Sequence, residues 1–168
     1  IEIGAVKIID GKIVSEFQTF IKPQFTQVNK FCTSLTSIKG IDVKDAPVFK
    51  EAVNEFKCFV GDLPLLSWGF YDRRQLEKDC NRYALDIDWL SNHRSLKHEY
   101  ADDVRLLIDS EIANGKSFNK KFLNKVRRGN WGVPSTLNRE NLTFDGTPHR
   151  GIDDARNIAK IYLKVSEK

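Results

Sequence analysis

The residue types best suited to chemistry gather in Pro148-His149-Arg150-Gly151-Ile152-Asp153-Asp154-Ala155. A loop imidazole at His149, five residues ahead of a helix-borne carboxylate at Asp154, can converge with it on one point, as a general base beside a metal-bound water must. The acids also have a purely structural use. Free N–H groups and the helix dipole favour Asp in a first turn, and spacing alone leaves both readings of Asp153 and Asp154 open. Asp72 is the third candidate. It follows the apolar run Leu63–Trp68, at the kind of strand end where open α/β sheets form a ligand crevice. Asp72 with Gln75 three residues on also reads as a capping box. His93 and His98 are five apart, so on one helix they do not share a face as paired metal ligands do.

These side chains need elements to hold them. Ile152, Ala155, Ile158, Ala159 and Tyr162 recur at helical steps, which predicts a helix with one apolar face after His149. Residues 1–22 predict a β-hairpin turning at Asp10-Gly11 and ended by Pro23. Val28–Lys39 reads as a short helix closing at Gly40. Asp45-Ala46-Pro47 opens the next one, with Pro in the first turn, a stripe of Phe49, Ala52, Val53, Phe56 and Phe59 or Val60, and a stop at Gly61. Leu63–Trp68 predicts a strand buried on both faces, followed by a helix from Asp72 to about Tyr83. Tyr100, Val104, Leu107, Ile108 and Ile112 are placed on one face of a further helix ending at Gly115. The expected architecture is an α/β layered domain. Its hairpin and the strand ending near Trp68 share one sheet, with the helices 47–60 and 152–165 packed on it.

A chain of 168 residues suits a single domain. It is 40% hydrophobic and 30% charged with a mean hydropathy of −0.43, and no apolar run approaches a membrane span, so no membrane partner is expected. Cys32, Cys58 and Cys80 are odd in number and form no CxxC pair, which fits a reducing, intracellular setting, cytoplasmic first with the nucleus left open. A net charge of +4 and a pI near 8.9 lean towards a polyanionic partner. Lys116, Lys120, Lys121, Lys125, Arg127 and Arg128 alternate with Phe118, Phe122 and Val126 at helical steps. That basic face is either simply solvated or a set of phosphate contacts.

Four segments occur in order: Ile1-Glu2-Ile3-Gly4-Ala5-Val6, Phe31-Cys32-Thr33-Ser34-Leu35-Thr36-Ser37-Ile38, Ser67-Trp68-Gly69-Phe70-Tyr71-Asp72, and His149 through Ala159. Together they resemble the DEDDh 3′–5′ exonucleases of the ribonuclease T and proofreading-exonuclease superfamily, in the branch of the histone-mRNA 3′-end exonuclease and the enhancer-of-RNA-interference nuclease. The resemblance implies a ribonuclease-H-like mixed β-sheet flanked by α-helices, and a single exonuclease domain over residues 1–168. It implies a 3′–5′ exonuclease on single-stranded nucleic acid, RNA in preference to DNA, releasing nucleoside 5′-monophosphates. Two divalent metal ions, Mg²⁺ or Mn²⁺, are the implied cofactors, since paired hard cations held by carboxylates stabilise the charge that gathers on phosphodiester oxygens. By motif position Asp72 and Asp154 are implied metal ligands and His149 the implied base; Asp153 is the adjacent acid whose register argues against a metal role. Leu35, Thr36 and Ile38 are implied contacts of the terminal nucleotide. Trp68, Phe70 and Tyr71 border the same crevice, where rings can stack on bases or simply belong to the core.

The resemblance departs at one place. The family's first motif, an Asp-x-Glu on the strand before the Ile-Glu-Ile-Gly hairpin, is absent, and Glu2 is not it. The sequence opens at Ile1 and contains no Met, and the expectation is that a strand carrying the motif precedes it. The alternative is a non-catalytic nucleic-acid-binding module on the same fold. Oligomeric state is not readable.

Overall fold

Alternating apolar residues and a turn with two left-handed backbones build the first element. Asp10 and Gly11 have φ of 49° and 71°, the geometry that matches the twist of a tight hairpin. They join β1 (Glu2–Ile9) to β2 (Lys12–Phe20), which pair antiparallel from Glu2 opposite Phe20 to Ile9 opposite Lys12, with one irregularity at Lys7/Ile8. The computed structural model describes residues 1–167.

The helix expected over Val28–Lys39 is only the shorter α1 (Lys30–Thr36), and Gly40, expected to close it, instead opens a separate short helix, α2 (Gly40–Val43). Side-chain hydroxyls break it. Thr36 Oγ1 donates to Cys32 O and accepts from Ile38 N, Thr33 Oγ1 donates to Ile38 O, and Ser37 turns left-handed with φ 63°. Such local bonds compete with helix continuation, and here they turn Ile38 into the core, 5% exposed.

Helix α3 (Phe49–Val60) buries Phe49, Ala52, Val53, Phe56 and Val60 as its periodicity dictates. Its cap is Val48, whose N–H donates to the Glu51 carboxylate, so Pro47 stands just ahead of the helix rather than in its first turn. Strand β3 (Leu66–Ser67) is far shorter than the Leu63–Trp68 run. It pairs in parallel with β4 (Arg94–Ser95), not with the hairpin. The single sheet expected for the hairpin and the Trp68 strand is therefore corrected to two small two-stranded sheets. An apolar groove separates them, walled by Ala5, Val6 and Ile8 of β1 on one side and Leu63, Leu65 and Leu66 on the other.

Helix α4 (Tyr71–Arg82) follows, then α5 (Leu96–Ala113), α6 (Lys120–Arg128), α7 (Val133–Arg139) and α8 (Gly151–Ser166). Along α5 the buried residues are Leu96, Tyr100, Ala101, Val104 and Ile108, whereas Leu107 and Ile112 are exposed. Two of the five expected stripe positions, Leu107 and Ile112, thus fall outside the buried face, because only a narrow face of α5 meets Val126 and Trp131. Ile21 and Cys80 join the α3 residues in a second cluster, and Leu96, Leu137 and Ile161 form a third. Among the described residues no helix is long and apolar enough to cross a membrane.

Helix α8 lies on the hairpin so closely that backbone meets backbone. A Cβ on Gly4 would stand 2.1 Å from Ile152 N and 2.2 Å from Gly151 C. Neither atom can give way without moving the start of α8. Gly4→Ala is therefore expected to lower the urea-unfolding free energy by about 2 kcal/mol or more, in the upper range of overpacking effects. An unchanged midpoint would mean that β1 and α8 separate freely.

Candidate active site

Asp72 stands in the first turn of α4, with Phe70 as the cap residue. The capping box expected between Asp72 and Gln75 does not form: Gln75 Nε2 donates to Asp79 Oδ2 at 2.8 Å instead. Asp72 makes no side-chain hydrogen bond to the other described residues and lines a cavity of about 800 Å³. Asp154 lies in the first turn of α8 and lines the same cavity, as does His149. Its Oδ1 accepts from the His149 N–H across 3.4 Å. Burial pushes the Asp154 carboxyl above the ordinary carboxylate range; His149 pulls it back down, and the charges of Asp153 and Asp72 push it up again. Two acids far apart in sequence thus share one electrostatic environment.

His149 is exposed, and its backbone is left-handed with φ 66°, a conformation uncommon outside glycine in which Asn, Asp and His are the residues most often found. Its neighbours hold it there. Asp153 Oδ2 accepts from Thr147 N at 2.9 Å, and Asp153 Oδ1 accepts from Arg156. Asn157, fully buried, accepts from Asp145 N and donates to the carbonyls of Asp145 and Asp153. Asp153 therefore serves the loop rather than the cavity.

The strongest support comes from residues the sequence did not single out for this role. Glu2, with a side chain only 2% exposed, accepts from Arg150 Nε and Gly151 N, both at 2.9 Å, and from Gln18 at 2.7 Å. Burial works to raise the Glu2 carboxyl, but these donors outweigh it and hold the group below its usual range. The clamp fixes Arg150, the residue between His149 and the helix carrying Asp154. No periodicity reports a contact between residues 2 and 150; an acid inside an otherwise apolar strand is the only available signal.

Other expected contacts fall in different places. Trp68 lines the cavity and is held by its indole N–H, which donates to Trp131 O at 2.8 Å. Tyr71 lines it as well and is 76% exposed. Phe70 lies outside the lining and packs on His98 and His93, with ring centroids at 4.9 and 5.7 Å. Leu35, Thr36 and Ile38 are also outside the lining.

His93 belongs to the wall too. Ser67 Oγ donates to Gly69 O and contacts His93 Nε2, both at 2.8 Å. Because the hydroxyl proton is spent on Gly69, His93 donates from Nε2 and is neutral, in keeping with a proton affinity lowered by burial and by Arg73. The pair braces the turn that delivers Asp72.

Asp72 and Asp154 offer the oxygen ligands that hard divalent cations take, and the raised proton affinity of Asp154 marks a carboxylate that would gain from a nearby cation. They fit part of such a site. Among the described residues no group of three His, Cys, Asp or Glu side chains is assembled for a metal.

An α/β domain that brings two acidic helix starts to one cavity beside a parallel strand pair has the architecture of ribonuclease-H-like nucleases. The nuclease domain of 3′hExo, a DEDDh family member solved bound to rAMP, shares the fold with a TM-score of 0.79 over 99% of this chain and 80% of that one, at 21% identity. The chain belongs to the RNase T exonuclease family, whose model matches residues 1–162. It is 29% identical, over its whole length, to 10% of a PolC-type DNA polymerase III from Caldanaerobacter subterraneus. It is 26% identical, over 94% of its length, to 57% of the 3′-5′ exonuclease eri1 of Schizosaccharomyces pombe. The chain thus spans from a tenth to little more than half of these relatives.

Proposed function

We propose that this chain is the nuclease unit of a metal-dependent 3′–5′ exonuclease that trims single-stranded nucleic acid, RNA in preference to DNA, and releases nucleoside 5′-monophosphates. The observation that carries the reading is the convergence of Asp72, Asp154 and His149 on one cavity large enough for a nucleotide. In this reading Asp72 and Asp154 hold divalent cations, which when bound stabilise negative charge on the phosphodiester oxygens. His149, at the mouth, accepts the proton of the attacking water through an imidazole nitrogen. Trp68 and Tyr71 offer ring faces to the terminal bases, a sequence-tolerant contact. Glu2, Arg150, Asp153 and Asn157 hold the His149 loop against α8.

Two carboxylates do not complete a two-cation site. The groove between β1 and Leu63–Leu66 is lined almost wholly by apolar side chains, and its two walls present strand edges that pair with nothing else among the described residues. It fits a central strand joining the two small sheets into one, and a strand there carrying Asp-x-Glu would bring two more carboxylates to the cavity. The name of a further relative, ERI1 exoribonuclease 2 of Mus musculus, 24% identical over 92% of this chain, favours RNA as the substrate, and three free cysteines suit a reducing compartment.

The test uses the full-length protein and a 5′-labelled single-stranded RNA. With Mg²⁺ a ladder shortening from the 3′ end and free 5′-monophosphates are expected, both stopped by chelation and restored by added Mg²⁺. Internal cuts would overturn the reading. Binding of the strand without any release would favour the non-catalytic module instead.

A further inference from the structure

The positive charge of this chain is gathered in one place. Residues 112–139 contain seven Lys and Arg and no acid, while the rest of the chain holds 20 against 23 Asp and Glu. Within that segment Lys120, Lys121, Arg127 and Arg128 lie at helical offsets of 0, 1, 7 and 8 and share one face of α6 with Asn124. All five are exposed, and the four charges span about 12 Å along the axis at 1.5 Å per residue. The opposite face, Phe122, Leu123 and Val126, packs into the cluster that includes Trp68.

A merely solvated basic face explains this poorly. Elsewhere several cations have acidic partners, among them Lys57 with Asp86, Arg94 with Glu99 and Arg156 with Glu16, and no other stretch gathers this many cations without an acid between them. Within the segment, Lys125 and Arg139 lie over the Trp131 ring at 4.2 and 5.5 Å. Lys120, Lys121, Arg127 and Arg128 have no acidic partner among the described residues. The helix dipole favours Arg127 and Arg128 in the last turn but opposes Lys120 and Lys121 in the first, so the stripe costs helix stability at one end. The stripe also leads to the cavity. Beyond the end of α6 the chain passes Trp131, whose carbonyl accepts from the Trp68 indole N–H, and enters α7 at Val133 and Pro134, which line the cavity beside Trp68.

We infer that the Lys120–Lys121–Arg127–Arg128 face of α6 is a track for the phosphodiester backbone of a nucleic-acid strand whose 3′ end occupies the cavity. The inference rests on the exonuclease reading for its direction, and it adds where the strand lies beyond the terminal nucleotides. Contacts of this kind are made to phosphates and carry no base preference.

The experiment compares the full-length protein with its K120Q/K121Q/R127Q/R128Q variant, using a 20-nucleotide single-stranded RNA and a trinucleotide, with binding read by fluorescence anisotropy in EDTA across a salt series. Loss of four phosphate contacts to a single strand lowers the slope of log affinity against log salt by about three, and weakens 20-mer binding on the order of a hundredfold near 0.1 M salt. Trinucleotide binding and turnover stay within about twofold. The paired variants K120Q/K121Q and R127Q/R128Q each give about half the slope change, and replacing both lysines by arginine preserves it. An unchanged salt slope overturns the track and leaves the face to a partner other than nucleic acid. The two readings fail separately: wild-type protein that releases no nucleotide yet shows the slope difference keeps the track and loses the enzyme. Release with equal slopes does the reverse.

Discussion

Replacing Asp154 by Asn is expected to abolish Mg²⁺-dependent nucleotide release while leaving the protein at least as stable at pH 7 as the wild type. The two halves have one cause. Asp154 is held in the cavity wall with its carboxyl raised by burial and by the charges of Asp153 and Asp72. A group whose folded-state pKa lies above its unfolded value contributes stability below the ordinary carboxylate range, and that contribution is lost as pH rises through the folded value. At pH 7 the ionised side chain is thus a liability that an amide of the same shape avoids. Asn can still accept the His149 N–H through its Oδ1, so the loop keeps its anchor. Urea midpoints without divalent cation should favour Asp154→Asn at pH 7, with the advantage shrinking towards pH 4. Added Mg²⁺ should stabilise the wild type, since a ligand of the native state shifts unfolding by mass action, and should stabilise the variant much less. Near-normal nucleotide release by Asp154→Asn would remove Asp154 from the chemistry.

This liability explains part of what was legible in the sequence. Elements whose own residues fix them read well: the Asp10-Gly11 turn with its two positive φ angles, the α3 stripe ending at Gly61, and α8 with acids in its first turn. The candidate carboxylates stood out because each opens a helix beside an apolar strand or loop. What failed to read depends on partners far along the chain. Nothing local tells that Leu63–Leu66 faces β1 across a groove rather than pairing with it, because an apolar run is equally suited to either. The Asp72-Gln75 capping box was a sound local pattern that lost to an i,i+4 bond from Gln75 to Asp79. That loss leaves Asp72 for the cavity. Glu2 reads from the sequence only as a strand residue outside the family's first motif, and the approach of Arg150 and Gly151 is what gives its carboxylate a role. The close contact of Gly4 with Ile152 is likewise invisible until the two elements meet.

Replacing His149 separates proton transfer from binding. A positioned imidazole accepting a proton in the transition state contributes about 10²–10⁴-fold, and His149 reaches the cavity without donating a ring hydrogen bond to any other described residue. The substitution to choose is His149→Asn. His149 sits at φ 66°, where Asn is tolerated and Ala is strained, so Asn removes the base without disturbing the turn that leads into α8. His149→Ala then measures the added cost of backbone strain. kcat for mononucleotide release should fall by about two to four orders of magnitude in His149→Asn, with KM and the affinity for single-stranded RNA within about threefold of wild type. Loss of a transition-state interaction lowers kcat and kcat/KM together, which distinguishes it from lost substrate binding. Equal rates in wild type and His149→Asn would make His149 part of the loop's architecture, alongside Asp153 and Asn157. A parallel loss of affinity and rate would place it against the substrate instead. Only a loss confined to kcat assigns it the proton.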